Sequence, residues 1–215
     1  MVRKWQLSVV AAAVTLLLAA CSSHAAPAKG LEIGDPAPPW SKIVGVDDKE
    51  HSLAEFKKAK ALVLAFTCNH CPVAKMYEDR LIALQEEYKD QGVQFVAVNS
   101  NSVKISPGDS LEKMKERAAG KDLGGWRTDK GPFNFPYIYD ATQKMGHDYG
   151  AKVTPHVFLL DKDRKLVYVG AVDDNNNAEK AKTHYLRDAL DAVLAGKKPP
   201  QETTNPRGCS VKYEK

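Results

Sequence analysis

Apolar positions along the chain fall into short unbroken runs that alternate with segments of helical spacing. Ala61 to Phe66 (ALVLAF) is continuously apolar, the pattern of a strand buried on both faces of a parallel sheet. After it, Val73, Tyr77, Leu81, Leu84 and Tyr88 recur at helical spacing with charges between them, and Gly92 closes that helix. Val93 to Val98 predicts a second buried strand, which makes a strand–helix–strand unit. Upstream, Lys42 to Leu53 reads as a short hairpin turning at Asp47-Asp48. Downstream, a helix is predicted over Leu111 to Ala118, behind the capping candidates Asp109 and Ser110. A short strand follows at Tyr137 to Tyr139. Asp140 is then read as the cap of a helix ending near Gly150, with Gln143 placed for a capping box. His156 to Leu160 and Leu166 to Val172 read as two strands joined by a turn at Asp161-Lys162-Asp163-Arg164. A last helix is expected over Glu179 to Ala195, stopped by Gly196. Such alternation predicts an α/β domain with a central mixed sheet flanked by helices.

The ends modify this picture. Arg3 and Lys4 precede an almost purely apolar run from Leu7 to Ala20, too short to span a bilayer, which needs about 20 residues. A charged start, a short apolar core and small residues after it read as a signal peptide over residues 1–20. Leu18-Ala19-Ala20-Cys21 resembles the lipobox of bacterial lipoproteins, which implies cleavage before Cys21 and its lipidation. Several acyl chains on one residue anchor stably where one is marginal. Ser22 after the cysteine, by the same resemblance, favours the periplasmic face of the outer membrane. Cleavage near Ser23-His24-Ala25 is the rival, and it would release a soluble periplasmic protein. Residues 21–33 read as a tether, 34–196 as one domain, and 197–215 as a polar, proline-containing, extended tail. Between the helix near Leu111 and the strand at Tyr137, Ala119 to Pro132 carries four glycines and Trp126 and reads as an excursion.

The net charge is +4 with both signs mixed along the chain, so nucleic acid is not an expected partner. The four cysteines are more informative. With Cys21 lipidated, two lie in a C-x-x-C at Cys68 and Cys71, and one, Cys209, is left over in the tail. A C-x-x-C where a strand turns into a helix suits a cycling disulfide. Unpaired N–H groups and the dipole at a helix N-terminus favour a thiolate, and thiol pKa values in such motifs fall from about 8.5 to roughly 3.5–7.5. Cys68 is the expected, more exposed nucleophile and Cys71 the resolving thiol. His70 is placed to tune Cys68 with a hydrogen bond or a positive charge. No carboxylate stands between Glu55 and Glu78, so no sequence-local acid backs the pair. A second ligand pair at zinc spacing is missing, and neither a metal nor a cofactor is expected.

The strand–C-x-x-C–helix arrangement, with Val153-Thr154-Pro155 before the strand at His156, resembles the thioredoxin superfamily. The resemblance implies a cis-proline at Pro155 opposite the cysteines, with Thr154 offering backbone groups to an extended substrate segment. More closely, the chain resembles the redoxin, AhpC/TSA-like subgroup. The motifs are Phe66-Thr67-Cys68-Asn69-His70-Cys71-Pro72, Tyr77-Glu78-Asp79-Arg80-Leu81, Val98-Asn99-Ser100-Asn101, Asn134-Phe135-Pro136-Tyr137 and Gly208-Cys209, spanning residues 34–212. The expected function is a membrane-anchored periplasmic thiol–disulfide oxidoreductase. Its partners are protein or small-molecule thiols and disulfides, and a redox partner the sequence does not identify.

Two rivals share the fold. A peroxiredoxin activates its cysteine within P-x-x-x-T-x-x-C, but the two positions before Cys68 hold Ala61 and Ala65, and those before Cys71 hold Leu64 and Cys68. A copper-binding thioredoxin-like chaperone would use both cysteines with an imidazole, for which His156 beside Pro155 is the candidate, with Met76 and His147 as further ones. Cys209 is a possible third redox thiol. The tail residues between Gly196 and Cys209 could reach ~40 Å, enough to cross the domain face.

Overall fold

The computed structural model describes residues 30–121 and 131–215. The signal peptide, Cys21 and the excursion's Trp126 lie outside the described residues. Five strands form one mixed sheet in the order β5-β4-β3-β7-β8: β3 (Ala61–Phe66), β4 (Val93–Asn99), β5 (Tyr137–Tyr139), β7 (His156–Leu160) and β8 (Leu166–Gly170). β3, β4 and β5 run parallel; β7 and β8 are antiparallel to their neighbours. The expected hairpin is present as β1 (Ile43–Val44) and β2 (Glu50–His51). β6 (Val153–Thr154) pairs with β9 (Cys209–Ser210) in a separate two-stranded ladder.

The central strand shows why its run is unbroken. Ala61, Val63 and Ala65 enter one core with Tyr77 and Leu81 of α1 (Pro72–Tyr88), Met114 of α2 (Leu111–Ala118) and Leu186 and Leu190 of α4 (Tyr185–Leu194). Leu62, Leu64 and Phe66 enter the other core with Trp40, Phe56 and, from α3 (Lys144–Tyr149), Met145 and Tyr149. Side chains alternate across a strand, so a strand covered on both faces must be apolar at every position. All six residues of β3 are buried.

Local chemistry sets the ends of the elements. Pro72 fills the first turn of α1, where its missing N–H would have had no partner. The chain leaves α1 through a tight turn to Gly92, whose φ of 90° is left-handed. Ser110 caps α2 by accepting the Lys113 N–H. Here three expectations are corrected. Asp109 is not a cap but a fully buried acid. Asp140 does not cap α3, which starts after Gln143 at φ 61°; the Asp140 carboxylate instead accepts the Gly146 N–H and the Ser100 hydroxyl, both at 2.8 Å. The last helix is shorter than expected, because Ala178–Lys180 forms a separate turn before α4. The chain also joins the domain earlier than residue 34, with Leu31 and Ile33 packed on the second core.

The tail is extended, as expected, and it is bound along its length. Thr204 N–H donates to the Val169 carbonyl at 3.0 Å, Val211 N–H to Lys152 at 3.0 Å, and Lys212 N–H to Asn101 Oδ1 at 2.7 Å. Residues 202–214 thus cross from the β8 edge, past β6, to the loop after β4. None of the helices among the described residues is long and apolar enough to cross a membrane.

Candidate active site

β3 delivers Cys68 to one end of the sheet, and Cys71 stands at the N-cap of α1. The Cys71 sulfur accepts the Ala74 N–H at 3.5 Å and the Cys209 N–H at 3.4 Å. Thr154 faces both cysteines. Its hydroxyl lies 3.2 Å from Cys68 Sγ, and its carbonyl lies 3.4 Å from Cys71 Sγ. The Thr154–Pro155 peptide is cis, at the position the resemblance implied. Both cysteines are free thiols and both are buried, Cys68 at 1 % exposure and Cys71 at 0 %. Neither thiol is therefore presented openly to solvent, against the expectation of an exposed nucleophile.

The surroundings of the two sulfurs differ. The Cys68 thiol hydrogen-bonds to Cys71, and this bond, with burial and the Asp109 charge, pushes Cys68 far above the ordinary thiol range. For Cys71 the hydrogen bond from Cys68, supported by those from Cys209 and Ala74, outweighs burial and brings the thiol down to about 4. The geometry explains the sign. The helix N-terminus acts on its N-cap residue, which is Cys71, through the Ala74 N–H. Cys68 instead lies within 4.8 Å of the Asp109 carboxylate. Two negative charges that close repel by about 3 kcal/mol at an effective dielectric near 20. The surroundings of Cys71 thus favour a thiolate more than those of Cys68 do.

Asp109 was the residue that sequence reasoning missed as a functional group. Its Oδ1 accepts the Asn69 N–H at 2.7 Å. Its Oδ2 is 2.5 Å from His70 Nδ1 and accepts from Asn101 Nδ2 at 2.9 Å and Ser106 Oγ at 2.7 Å. His70 thus hydrogen-bonds to Asp109, with a ring nitrogen within 4.8 Å of Cys68 Sγ. The acid that the sequence lacks between Glu55 and Glu78 comes from the turn before α2. The quoted motifs supplied a partial signal: Asn69 and Asn101 hold Asp109, and the Tyr137 hydroxyl donates to Asn69 Oδ1 at 3.1 Å. Other motif residues brace α1. Arg80 pairs with Asp173 at 2.5 Å and lies 3.7 Å over the Tyr77 ring, while Glu78 makes a buried bidentate pair with Arg117.

Cys68, His70 and Asp109 each offer one ligand atom within 4.8 Å of the others, the grouping among the described residues that could hold a cation. It differs from the copper set considered above. His156 accepts the Lys152 N–H at 3.4 Å and packs on Phe158, and burial lowers its pKa to about 4. His147 stacks on Tyr213.

A dithiol at the start of a helix, facing a cis-proline turn at one end of a five-stranded mixed sheet, defines a thioredoxin-like protein. The Redoxin family model matches residues 32–186, and the chain belongs to that family. It is 25% identical over 134 residues to the thiol-disulfide oxidoreductase ResA of Geobacillus thermodenitrificans, an alignment covering 62% of this chain and 66% of that protein. An uncharacterized conserved protein from Geobacillus kaustophilus has a crystal structure 37% identical to this chain, with a TM-score of 0.76, covering 86% of this chain and 94% of that one. A putative thiol:disulfide interchange protein DsbE from Chlorobium tepidum shares the fold at 20% identity and a TM-score of 0.55, covering 78% of this chain and 98% of its own.

Proposed function

We propose that this protein is a thiol–disulfide oxidoreductase whose Cys68 and Cys71 cycle between dithiol and disulfide. The observation that supports it most directly is the hydrogen-bonded pair of free thiols at the start of α1, beneath Thr154 and the cis Pro155. The reduced pair carries a stabilised thiolate at Cys71, the reactive form for exchange. With Cys71 ionised, forming the Cys68–Cys71 bond passes two electrons to a partner disulfide and gives up the one proton held on Cys68, a second proton coming from solvent to complete the partner dithiol; the reverse reaction oxidises a partner dithiol. The Thr154 hydroxyl hydrogen-bonds to Cys68 Sγ at 3.2 Å. His70 acts at one remove, by sharing the Asp109 charge that faces Cys68. A cleft of about 560 Å³ adjoins the Pro155 turn, lined by Pro155, Val73, Tyr77, Asp173 and Arg207 and by neither cysteine. On this reading the protein is exported and held in the periplasm by acylated Cys21.

Equilibrating the protein with glutathione mixtures and quantifying the Cys68–Cys71 disulfide tests the redox role. A defined midpoint is expected, and Cys71→Ser, which removes the sulfur common to every disulfide of the site, abolishes turnover of disulfide substrates. Full turnover in that variant would overturn the assignment. Intact-mass analysis of the processed protein tests the anchor: a product starting at acylated Cys21 is expected, and an unlipidated start at Ala26 refutes it.

A further inference from the structure

The tail does more than cover the site. Its strand β9 pairs antiparallel with β6, in the register Thr154↔Cys209 and Val153↔Ser210. That register places a third thiol beside the pair. The Cys209 N–H donates to Cys71 Sγ at 3.4 Å, and the two side chains hydrogen-bond as well. Gly208 makes the approach possible: a Cβ there would lie 1.9 Å from the Thr154 carbonyl oxygen and 2.7 Å from its carbon. Those are backbone atoms and cannot step aside. Only a residue without a side chain lets the tail lie this close to the turn before Pro155.

The same strap changes which sulfur the solvent can see. Cys68 and Cys71 are 1 % and 0 % exposed, and Thr154, which faces both, is 2 % exposed. Cys209 is half-buried and packs at the edge of the cysteine cluster. Exchange requires an attacking sulfur to reach the sulfur it attacks, in line with the bond that breaks. In this arrangement an outside sulfur reaches Cys209 first.

Resting on the redox reading above, we infer that Cys209 is the partner-facing thiol of a three-cysteine relay, and that a Cys71–Cys209 disulfide is the form the protein offers to partner dithiols. In the oxidised chain the Cys209 thiolate attacks Cys71 Sγ. The Cys68–Cys71 bond breaks, and Cys68 leaves with the electron pair and takes up a proton in place of the one Cys209 gave up. That step moves the disulfide without net oxidation. A partner thiolate then attacks Cys209 Sγ, and Cys71 leaves as a thiolate. The partner's second thiol displaces Cys209 from the mixed disulfide. The partner dithiol has lost two electrons and two protons, and the protein's disulfide has become two thiols, with Cys71 ionised and its proton in solvent. Run backwards, the same steps reduce a partner disulfide. The donors around Cys71 favour the second step, in which Cys71 leaves, because a leaving sulfur with a low pKa departs faster and those hydrogen bonds lower the Cys71 thiol below its ordinary range. Cys209 itself stays protonated in the reduced protein, raised to about 11 by burial and by the neighbouring Cys71. Once Cys71 is tied up in a disulfide its charge is gone, and that part of the opposition to ionising Cys209 goes with it.

Glutathione disulfide is the probe, applied to the full chain, with peptide mass mapping under non-reducing conditions. Cys68→Ser is expected to form an intramolecular Cys71–Cys209 disulfide. In Cys71→Ser the glutathione adduct is expected on Cys209, in about tenfold excess over Cys68. Cys209→Ser, nearly isosteric and keeping the amide to Cys71, is expected to slow reduction of the oxidised protein by a protein dithiol by about tenfold or more. A glutathione adduct on Cys68 in Cys71→Ser, or wild-type exchange rates in Cys209→Ser, would overturn the relay while leaving the redox pair intact. If wild-type protein forms no Cys68–Cys71 disulfide at any glutathione ratio, the redox reading itself fails.

Discussion

Replacing Asp109 by asparagine is the substitution that separates the architecture of this site from its chemistry most cleanly. The carboxylate is fully buried and takes four donors: Asn69 N–H, His70, Asn101 and Ser106. Three of these converge on one oxygen, Oδ2. An amide can satisfy Asn69 with its oxygen only by turning its NH2 towards the other three, where it meets the Asn101 NH2 donor to donor and obliges Ser106 and His70 to turn into acceptors. Hydrogen bonds to a charged group are worth about 1.5–3 kcal/mol each, and breaking a buried charged arrangement from one side costs about 3–5 kcal/mol. At roughly 2–4 °C per kcal/mol for a domain this size, Tm should fall by about 6–20 °C. The same change removes a negative charge within 4.8 Å of Cys68, a repulsion of about 3 kcal/mol at an effective dielectric near 20. The Cys68 thiol should then ionise more readily, which stabilises the reduced form and makes the pair more oxidising. Urea unfolding reads the first effect. Ultraviolet thiolate absorbance against pH, in a Cys209→Ser background, and the glutathione midpoint read the second. His70→Ala is the control, since it leaves the Asp109 charge facing Cys68 with one donor fewer, and should shift Cys68 the opposite way. An Asp109→Asn protein with wild-type stability and wild-type thiol titration would refute the account of why the charge sits on Cys71.

Gly208→Ala forces a Cβ into the Thr154 carbonyl; the strand β9 should lift, and alkylation of Cys68 and Cys71 in the reduced folded protein should accelerate, whereas unchanged protection would show that the strap is not what shields them. His156 is buried neutral, with its pKa lowered by burial from 6.5 to about 4. Only the unfolded chain binds that proton between these values, so stability present above pH 6.5 is lost as pH falls towards 4, by about 3 kcal/mol at most; His156→Gln should flatten that part of the urea-midpoint profile. His51 slopes the other way. Burial opposes its charge, but Asp47 and Glu55 raise its pKa overall, so its contribution is full below 6.5 and lost as pH rises through the raised value; in His51→Gln that alkaline loss should disappear. Arg117→Leu strands the buried Glu78 carboxylate from its bidentate partner and should cost about 3–5 kcal/mol in chemical denaturation.

The sequence by itself determined the elements whose pattern depends on local or layer-wide burial. β3 could be read because both faces of a central strand are covered, so every one of its positions must be apolar. α1 could be read because one stripe faces the core, and the redox pair because two cysteines three apart at a helix start need no tertiary information to be recognised. The motif around Pro155 was legible in the same way, through resemblance. What the sequence could not determine is which sulfur carries the charge. That depends on an acid 38 residues beyond Cys71, since Asp109 reaches the site from the turn before α2, and its approach is a property of how α2 packs, not of any spacing along the chain. A buried aspartate next to a serine looks like a helix cap until its partners are known, and Ser110 alone does the capping. Likewise the tail's length allowed Cys209 to reach the site, but the choice of Cys71 as its neighbour follows from the β6–β9 register, which main-chain hydrogen bonds and the missing Cβ of Gly208 select together. Local periodicity records how a segment is buried; only the folded chain brings together groups whose electrostatic energies depend on a few ångströms of separation.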